Sequence, residues 1–143
     1  MSDTPVTPQD PEDTILARTN TIAVVGLSDR PDRPSHRVTR YMQEHGYRII
    51  PVNPEVDGLI LGEPVVDSLA AVPCPVDLVN VFRRSHLTDV PIDGAIAIGA
   101  PAVWLQLGIT NDPGMQRARD AGLLAVQDLC LMIEHRRWIE LRS

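Results

Sequence analysis

Lysine is missing from this sequence, whose thirteen basic residues are all arginine. That absence removes Schiff-base chemistry, pyridoxal-phosphate anchoring and the phosphate-binding lysine of a P-loop together. Cysteine is scarce. Cys74 and Cys130 stand far apart with no CxxC pair, so neither a disulfide framework nor a zinc site is signalled, and the scattered His36, His45, His86 and His135 do not change this. Long apolar runs are lacking too, none approaching the ~18 residues of a membrane span. The opening MSDTPVTPQDPEDT is acidic and proline-rich, without the charged-then-apolar order of a signal peptide. A cytoplasmic protein with no membrane partner is expected. Net positive charge is also lacking: at −6 the chain is poorly suited to a broad nucleic-acid or anionic-membrane surface, since both rest on summed positive potential. Any anion it binds is held locally, by arginines and backbone amides.

What is present is the composition of a globular protein, 43% apolar over 143 residues, a length that suits one domain with a real core. Residues 1–10 read as a flexible N-terminal lead and 11–143 as a single domain. PEDTILART can form a short helix with Asp10 as cap and Pro11 at its first position. TIAVVGL is a continuous β-branched run, as expected of a strand buried on both faces. SHRVTRYMQEHG sets Val38, Tyr41 and Met42 on one helical face and stops at Gly46. YRIIPVN is a second strand closed by Pro54. EVDGLILGEPVVDSL reads as an irregular excursion with a short strand and a helical turn near Leu69. VDLVNVF is the next strand, and SHLTDVPIDGAIAIGA is helical in its second half, with Pro91 and Gly94 expected to break or delay the helix. AVWLQLG, DPGMQRARDAG, LLAVQ and CLMIEHRRWIEL follow as strand, helix capped by Asn111 or Asp112, strand, and closing helix. This alternation predicts an α/β fold, a Rossmann-like doubly wound, mostly parallel sheet with helices on both faces.

In such a sheet, ligands bind outside the carboxyl ends of the strands, where the strand order reverses. The loops to read are therefore 27–35, 53–58, 83–86 and 106–111. In the first, Gly26 allows close backbone approach and Ser35 is expected to cap the next helix, whose N-terminal amides favour an anion. Arg33, with Arg30 and Arg37 beside it, adds charge-assisted hydrogen bonds. The same residues also fit an ordinary βα turn with solvated arginines. Arg83 and Arg84 follow the strand VNVF directly, and Gln106 and Gly108 sit at another strand end. The dinucleotide fingerprint is not met. Ser28 and Arg30 stand where it needs further glycines, and Asn53 stands where an NAD site places an acid, so a nicotinamide cofactor is disfavoured.

Taken together, AVVGLSDRPDRPSHRV, YRIIPVNP, VNVFRR, AIAIGA, VWLQLGI and RARDAGL resemble the small, stand-alone CoA-binding proteins, over about residues 12–140. These are similar to the N-terminal CoA-binding domain of the succinyl-CoA synthetase α subunit. The resemblance implies coenzyme A or an acyl-CoA as ligand, lying across the carboxyl edge of the sheet. By motif position it implies that Gly26, Leu27, Ser28, Arg33, Pro34 and Ser35 cradle the diphosphate. Asn53 and Pro54 would then border the adenosine, Phe82 and Arg83 the middle of the ligand, and Gln106, Leu107 and Gly108 its far lip. Two positions depart from the family pattern: Glu55 follows VNP where relatives often carry a basic residue suited to the 3′-phosphate, and Leu129 stands where an arginine commonly precedes the cysteine.

The leading expectation is non-catalytic binding of this small molecule, because no Ser/His/Asp or Cys/His set can be assembled in the loops. The alternatives are a degenerate NAD(P)-linked oxidoreductase, one component of a split acyl-CoA ligase, or a redox role in which Cys130 exchanges with the coenzyme thiol. Against the last stands the ordinary behaviour of a free cysteine as a small buried hydrophobe.

Overall fold

A computed structural model describes residues 10–142. The expected lead over residues 1–10 lies outside the described residues except for Asp10, which precedes the first helix. The elements run α1 (Pro11–Arg18), β1 (Thr21–Val25), α2 (Pro34–Glu44), β2 (Arg48–Val52), β3 (Leu59–Ile60), β4 (Glu63–Pro64), β5 (Leu78–Val81), α3 (Asp89–Ala97), β6 (Ala102–Leu105), α4 (Asp112–Asp120), β7 (Leu124–Val126) and α5 (Leu131–Arg142). Short 3-10 turns at Leu69–Ala71 and Ser85–Leu87 bridge the longer connections.

Five strands form one parallel sheet in the order β2-β1-β5-β6-β7, while β3 and β4 make a small antiparallel hairpin beside it. The apolar runs are continuous because both faces of the sheet are covered. Ile22 and Val24 of β1 and Leu78 of β5 face α1, α2 and α5, packing with Leu16, Val38, Met42 and Leu131. Ala23 and Val25, with Val79 and Val81, face the other way, into Ile92 and Ala95 of α3 and Met115 and Ala118 of α4. Trp104 of β6 is fully buried, and its indole N–H donates to the Leu129 carbonyl at 2.8 Å. Pro51 sits inside β2 because β2 is the edge strand, where a missing N–H breaks no ladder bond.

Two expectations about helices are corrected. Ser35 does not cap α2: the helix begins at Pro34, with Arg33 at the cap position accepting from the amides of His36 and Arg37, each at 3.1 Å. Proline fixes this start because its ring presets the helical φ and its missing N–H falls among the donors a helix leaves unpaired. Pro91 and Gly94 neither break nor delay α3, which starts at Asp89. Pro91 lies in the first turn, where an amide is not needed. Gly94 is tolerated for a tertiary reason: a β-carbon there would lie 2.9 Å from Leu69 Cδ1, in the turn packed against the helix. Asn111, of the two residues expected to cap α4, accepts from the Gly114 amide at 2.9 Å.

Candidate functional site at the carboxyl edge of the sheet

After β1 the chain crosses to β2 on one side, and later returns to place β5 on the other. The loops leaving the adjacent strands β1 and β5 therefore diverge, and a crevice opens between them. Gly26 sits at the root of that crevice with φ +84°, its N–H donating to the Val52 carbonyl at 2.9 Å. A β-carbon there would lie 2.4 Å from the Phe82 carbonyl oxygen. The glycine is thus demanded first by the close packing of the two loops, whose backbones are also joined by Phe82 N–H to Val25 C=O at 2.9 Å.

The loop after β1 braces itself. Ser28 Oγ accepts from the Arg30 amide at 3.0 Å, and the Ser28 amide donates to Ser35 Oγ, also at 3.0 Å. Ser35 therefore pins the loop to the first turn of α2 instead of capping that helix. Asn53 holds the same loop from the far side: its Nδ2 donates to the Leu27 carbonyl at 3.0 Å while its Oδ1 accepts from the Glu55 amide at 2.9 Å. Leu27 itself is wholly buried in the core.

A cleft of about 1000 Å³ lies above these loops. It brings together Gly26, Ser28, Arg33, Pro34, Ser35, Phe82, Arg83, Gln106, Leu107 and Gly108, with Arg30 and Arg37 beside them. It does not take in Leu27 or Asn53, whose side chains are committed to the core and to the loop. Pro54 borders a second cavity of about 450 Å³ with Val25, Val52, Leu69 and Pro91, and Arg83 borders both. Sequence reasoning passed over Met132 and Ile133 at the start of α5, and named the loops that hold Ser85 and Ile109 without singling out those two residues; all four line the cleft. The signal was available: the segment after β7 also leaves a carboxyl strand end, so the rule that selected the other loops selects it as well.

Electrostatically the cleft opposes the protein around it. Among the described residues its lining holds Arg30, Arg33, Arg37, Arg83 and Arg84 and no carboxylate, in a chain of net charge −6. Arg33, Arg37, Arg83 and Arg84 form no ion pair with any described residue, and Arg30 meets only the exposed Asp32, at 3.6 Å. The N-terminus of α2 opens on the same side, with Pro34 and Ser35 on the lining, adding the positive end of a helix dipole. The serines of the lining and the free thiol of Cys130 have no histidine, aspartate or glutamate beside them on the cleft wall. Such an arrangement supplies charge-assisted hydrogen bonds to a polyanion. Among the described residues no cluster could hold a metal ion, and no helix is long and apolar enough to cross a membrane.

The family described as a CoA binding domain matches residues 20–136. The chain belongs to this family. It is 46% identical over 121 residues to the uncharacterized protein YneT of Bacillus subtilis, covering 85% of this chain and 89% of that one. Among solved structures, this CoA-binding-domain protein is similar to cell-free ID.343 from Thermus thermophilus, at 38% identity and a TM-score of 0.85, covering 90% of this chain and 98% of that one. A hypothetical protein from Pyrococcus horikoshii OT3 superposes with a TM-score of 0.86 at 36% identity, over 97% of this chain and 99% of its own. The Rossmann-like architecture and the family resemblance read from the motifs are thereby borne out.

Proposed function

We propose that the protein binds coenzyme A or an acyl-CoA across the carboxyl edge of its sheet and carries out no chemistry on it. The observation that carries this reading is the sign of the cleft: among the described residues it holds five arginines and no carboxylate, at the topological switch point of an acidic member of a CoA-binding family. The diphosphate rests on the braced loop from Gly26 to Ser35, with Arg33 and Arg83 at its sides and the α2 amides below. The adenosine turns toward the second cavity beside Pro54, and the pantetheine arm runs over Phe82 toward Gln106, Leu107 and Gly108. Three strand steps separate β1 from β7 in the sheet, about 14 Å at the usual ~4.8 Å spacing. That span suits a ligand extended across the strand ends.

A nicotinamide dinucleotide fits less well. The position that would hold a ribose is Asn53, and both ends of its amide are already occupied by Leu27 and Glu55. Calorimetric titration with CoA, NAD and NADP tests the reading. CoA is expected to bind at least tenfold tighter than either dinucleotide, a difference of about 1.4 kcal/mol. Equal or tighter binding of a dinucleotide overturns it.

A further inference from the structure

Two helices open on the cleft, and the CoA reading fills only one of them. α2 and α5 lie on one face of the sheet, tied by the 2.9 Å contact of Tyr41 Oη with His135 Nδ1, and both begin at its carboxyl edge. Pro34 and Ser35 of α2 line the cleft, and so do Met132 and Ile133 of α5. The axes of packed helices stand about 8–10 Å apart, so a phosphate seated on α2 leaves the start of α5 free.

The donors at that start are unused. The Leu131 amide donates to Gln106 Oε1 at 3.3 Å and the Glu134 amide to the Cys130 carbonyl at 2.9 Å, while the amides of Met132 and Ile133 between them have no partner among the described residues. Solvent can serve the exposed amides of a helix start, but Gln106 is not exposed. It is 6% exposed and lines the cleft, and its Nε2 donates to no described residue. Buried side-chain amides are ordinarily paired, so this one is a donor waiting beside the helix amides.

The charge at this end is positive. The α5 dipole contributes, and Arg37, one turn into α2, stands on the same cleft wall without an ion pair to any described residue. Asp128 and Glu134, the carboxylates flanking the start of α5 in sequence, are not on the lining: Asp128 Oδ1 accepts from the Gly108 amide and Glu134 Oε1 from Arg137, each at 2.7 Å. The pantetheine arm, which the CoA reading leads toward Gln106, carries no charge to meet this potential. A group that does so lies beyond the sulfur, on the acyl chain.

We infer that the Met132 and Ile133 amides, Gln106 Nε2 and Arg37 form a second anion subsite, which receives the terminal carboxylate of a dicarboxylic acyl group. The protein then selects carboxyacyl thioesters of CoA over neutral ones of the same length. The inference rests on the CoA reading above, which sets the thioester end of the ligand toward Gln106. The carboxylate accepts from the two amides and from Nε2, charge-assisted bonds that a terminal methyl group cannot make.

The test is a set of dissociation constants for free CoA and for thioesters paired by carbon number: malonyl- against propionyl-CoA, succinyl- against butyryl-CoA, glutaryl- against pentanoyl-CoA. They are measured on the wild type, on Gln106→Met, which lacks the donor, and on Gln106→Glu, which keeps an acceptor for the Leu131 amide and puts a negative charge in place of Nε2. Melting curves check that the variants are folded, and the wild-type comparison stands without them. In the wild type at least one dicarboxylic thioester is expected to bind about tenfold tighter than its neutral partner, the lower end for hydrogen bonds to a charged group. That ratio should fall toward one in Gln106→Met and below one in Gln106→Glu, a readout that cancels any change in the shared part of the ligand. Binding of CoA and its thioesters with no gain from the carboxylate in any pair, or a gain untouched in both folded variants, overturns the subsite alone. Inorganic phosphate that tightens free CoA, with no gain from a tethered carboxylate, assigns the point to a free anion and overturns the acyl assignment. Failure of every ligand to bind overturns the CoA reading and the subsite with it.

Discussion

Replacing Arg33 or Arg83 by alanine separates a ligand cradle from an ordinary turn. Both guanidinium groups line the cleft, and neither forms an ion pair with a described residue, so the fold gains little from their charge. A hydrogen bond to a charged group contributes about 1.5–3 kcal/mol. Each substitution should therefore weaken CoA by between about tenfold and about 150-fold. Substitutions at the surface that break no buried partner stay within about 0.5 kcal/mol, which moves the melting temperature of a chain this size by only about 1–2 °C. Gly26→Val supplies the contrast. Its β-carbon would meet the Phe82 carbonyl at 2.4 Å, and a β-branched residue is strained at φ +84°, so the loops must part. Strain of that kind costs on the order of 1–3 kcal/mol, and binding and stability should fall together. Titration calorimetry with CoA and thermal melts of the ligand-free proteins give both readouts. If Arg33→Ala and Arg83→Ala both bind CoA like the wild type, the reasoning about the cradle is wrong.

Further predictions follow from other parts of the molecule. Glu55 is exposed in the turn after β2, on the side assigned to the adenosine. Glu55→Lys should strengthen CoA more than dephospho-CoA, since only the former has a 3′-phosphate to meet the new charge; equal gains would place this turn away from that group. His135 is buried between α2 and α5, with Tyr41 Oη 2.9 Å from its Nδ1. Burial, and after it the neighbouring His45, holds its pKa below the ordinary value of about 6.5. The unfolded chain then takes up a proton that the folded chain refuses, so stability is full above about pH 6.5 and is lost as the pH falls below it. Denaturant midpoints should drop more between about pH 7.5 and 5.5 for the wild type than for His135→Gln, and equal drops would refute the assignment. Trp104→Ala, which empties the fully buried site on β6, should cost about 3–5 kcal/mol in urea unfolding; a loss under 1 kcal/mol would contradict the packing described.

The strands were legible because the parallel sheet is covered on both faces, so Ile22 to Val25 and Leu78 to Val81 appear as unbroken apolar runs whatever their neighbours. The loops after β1, β5 and β6 that line the cleft were legible by position, since parallel strands end on one edge of the sheet. Three things were hidden for physical reasons. Proline at the first position of α2 moved the helix start one residue ahead of Ser35 and freed that hydroxyl to hold the loop. Gly94 sits within α3 where a β-carbon would crowd the Leu69 side chain, distant in sequence, a contact that local pattern cannot show. Leu27 and Asn53 lie at strand ends, yet their side chains turn to the core and to the neighbouring loop, and motif position does not report side-chain direction. Met132 and Ile133 were missed because the strand-end rule was applied to β1, β2, β5 and β6 and not to β7.

The most direct test of the central claim is a backbone amide chemical-shift titration of the protein with CoA. The account predicts that the largest changes fall on Gly26 to Ser35 and Phe82 to Ser85, extending to Gln106 to Ile109, the loops that share the carboxyl edge. Changes confined to the opposite edge, around His45, Tyr47 and Trp138, or no saturable change at all, would contradict it.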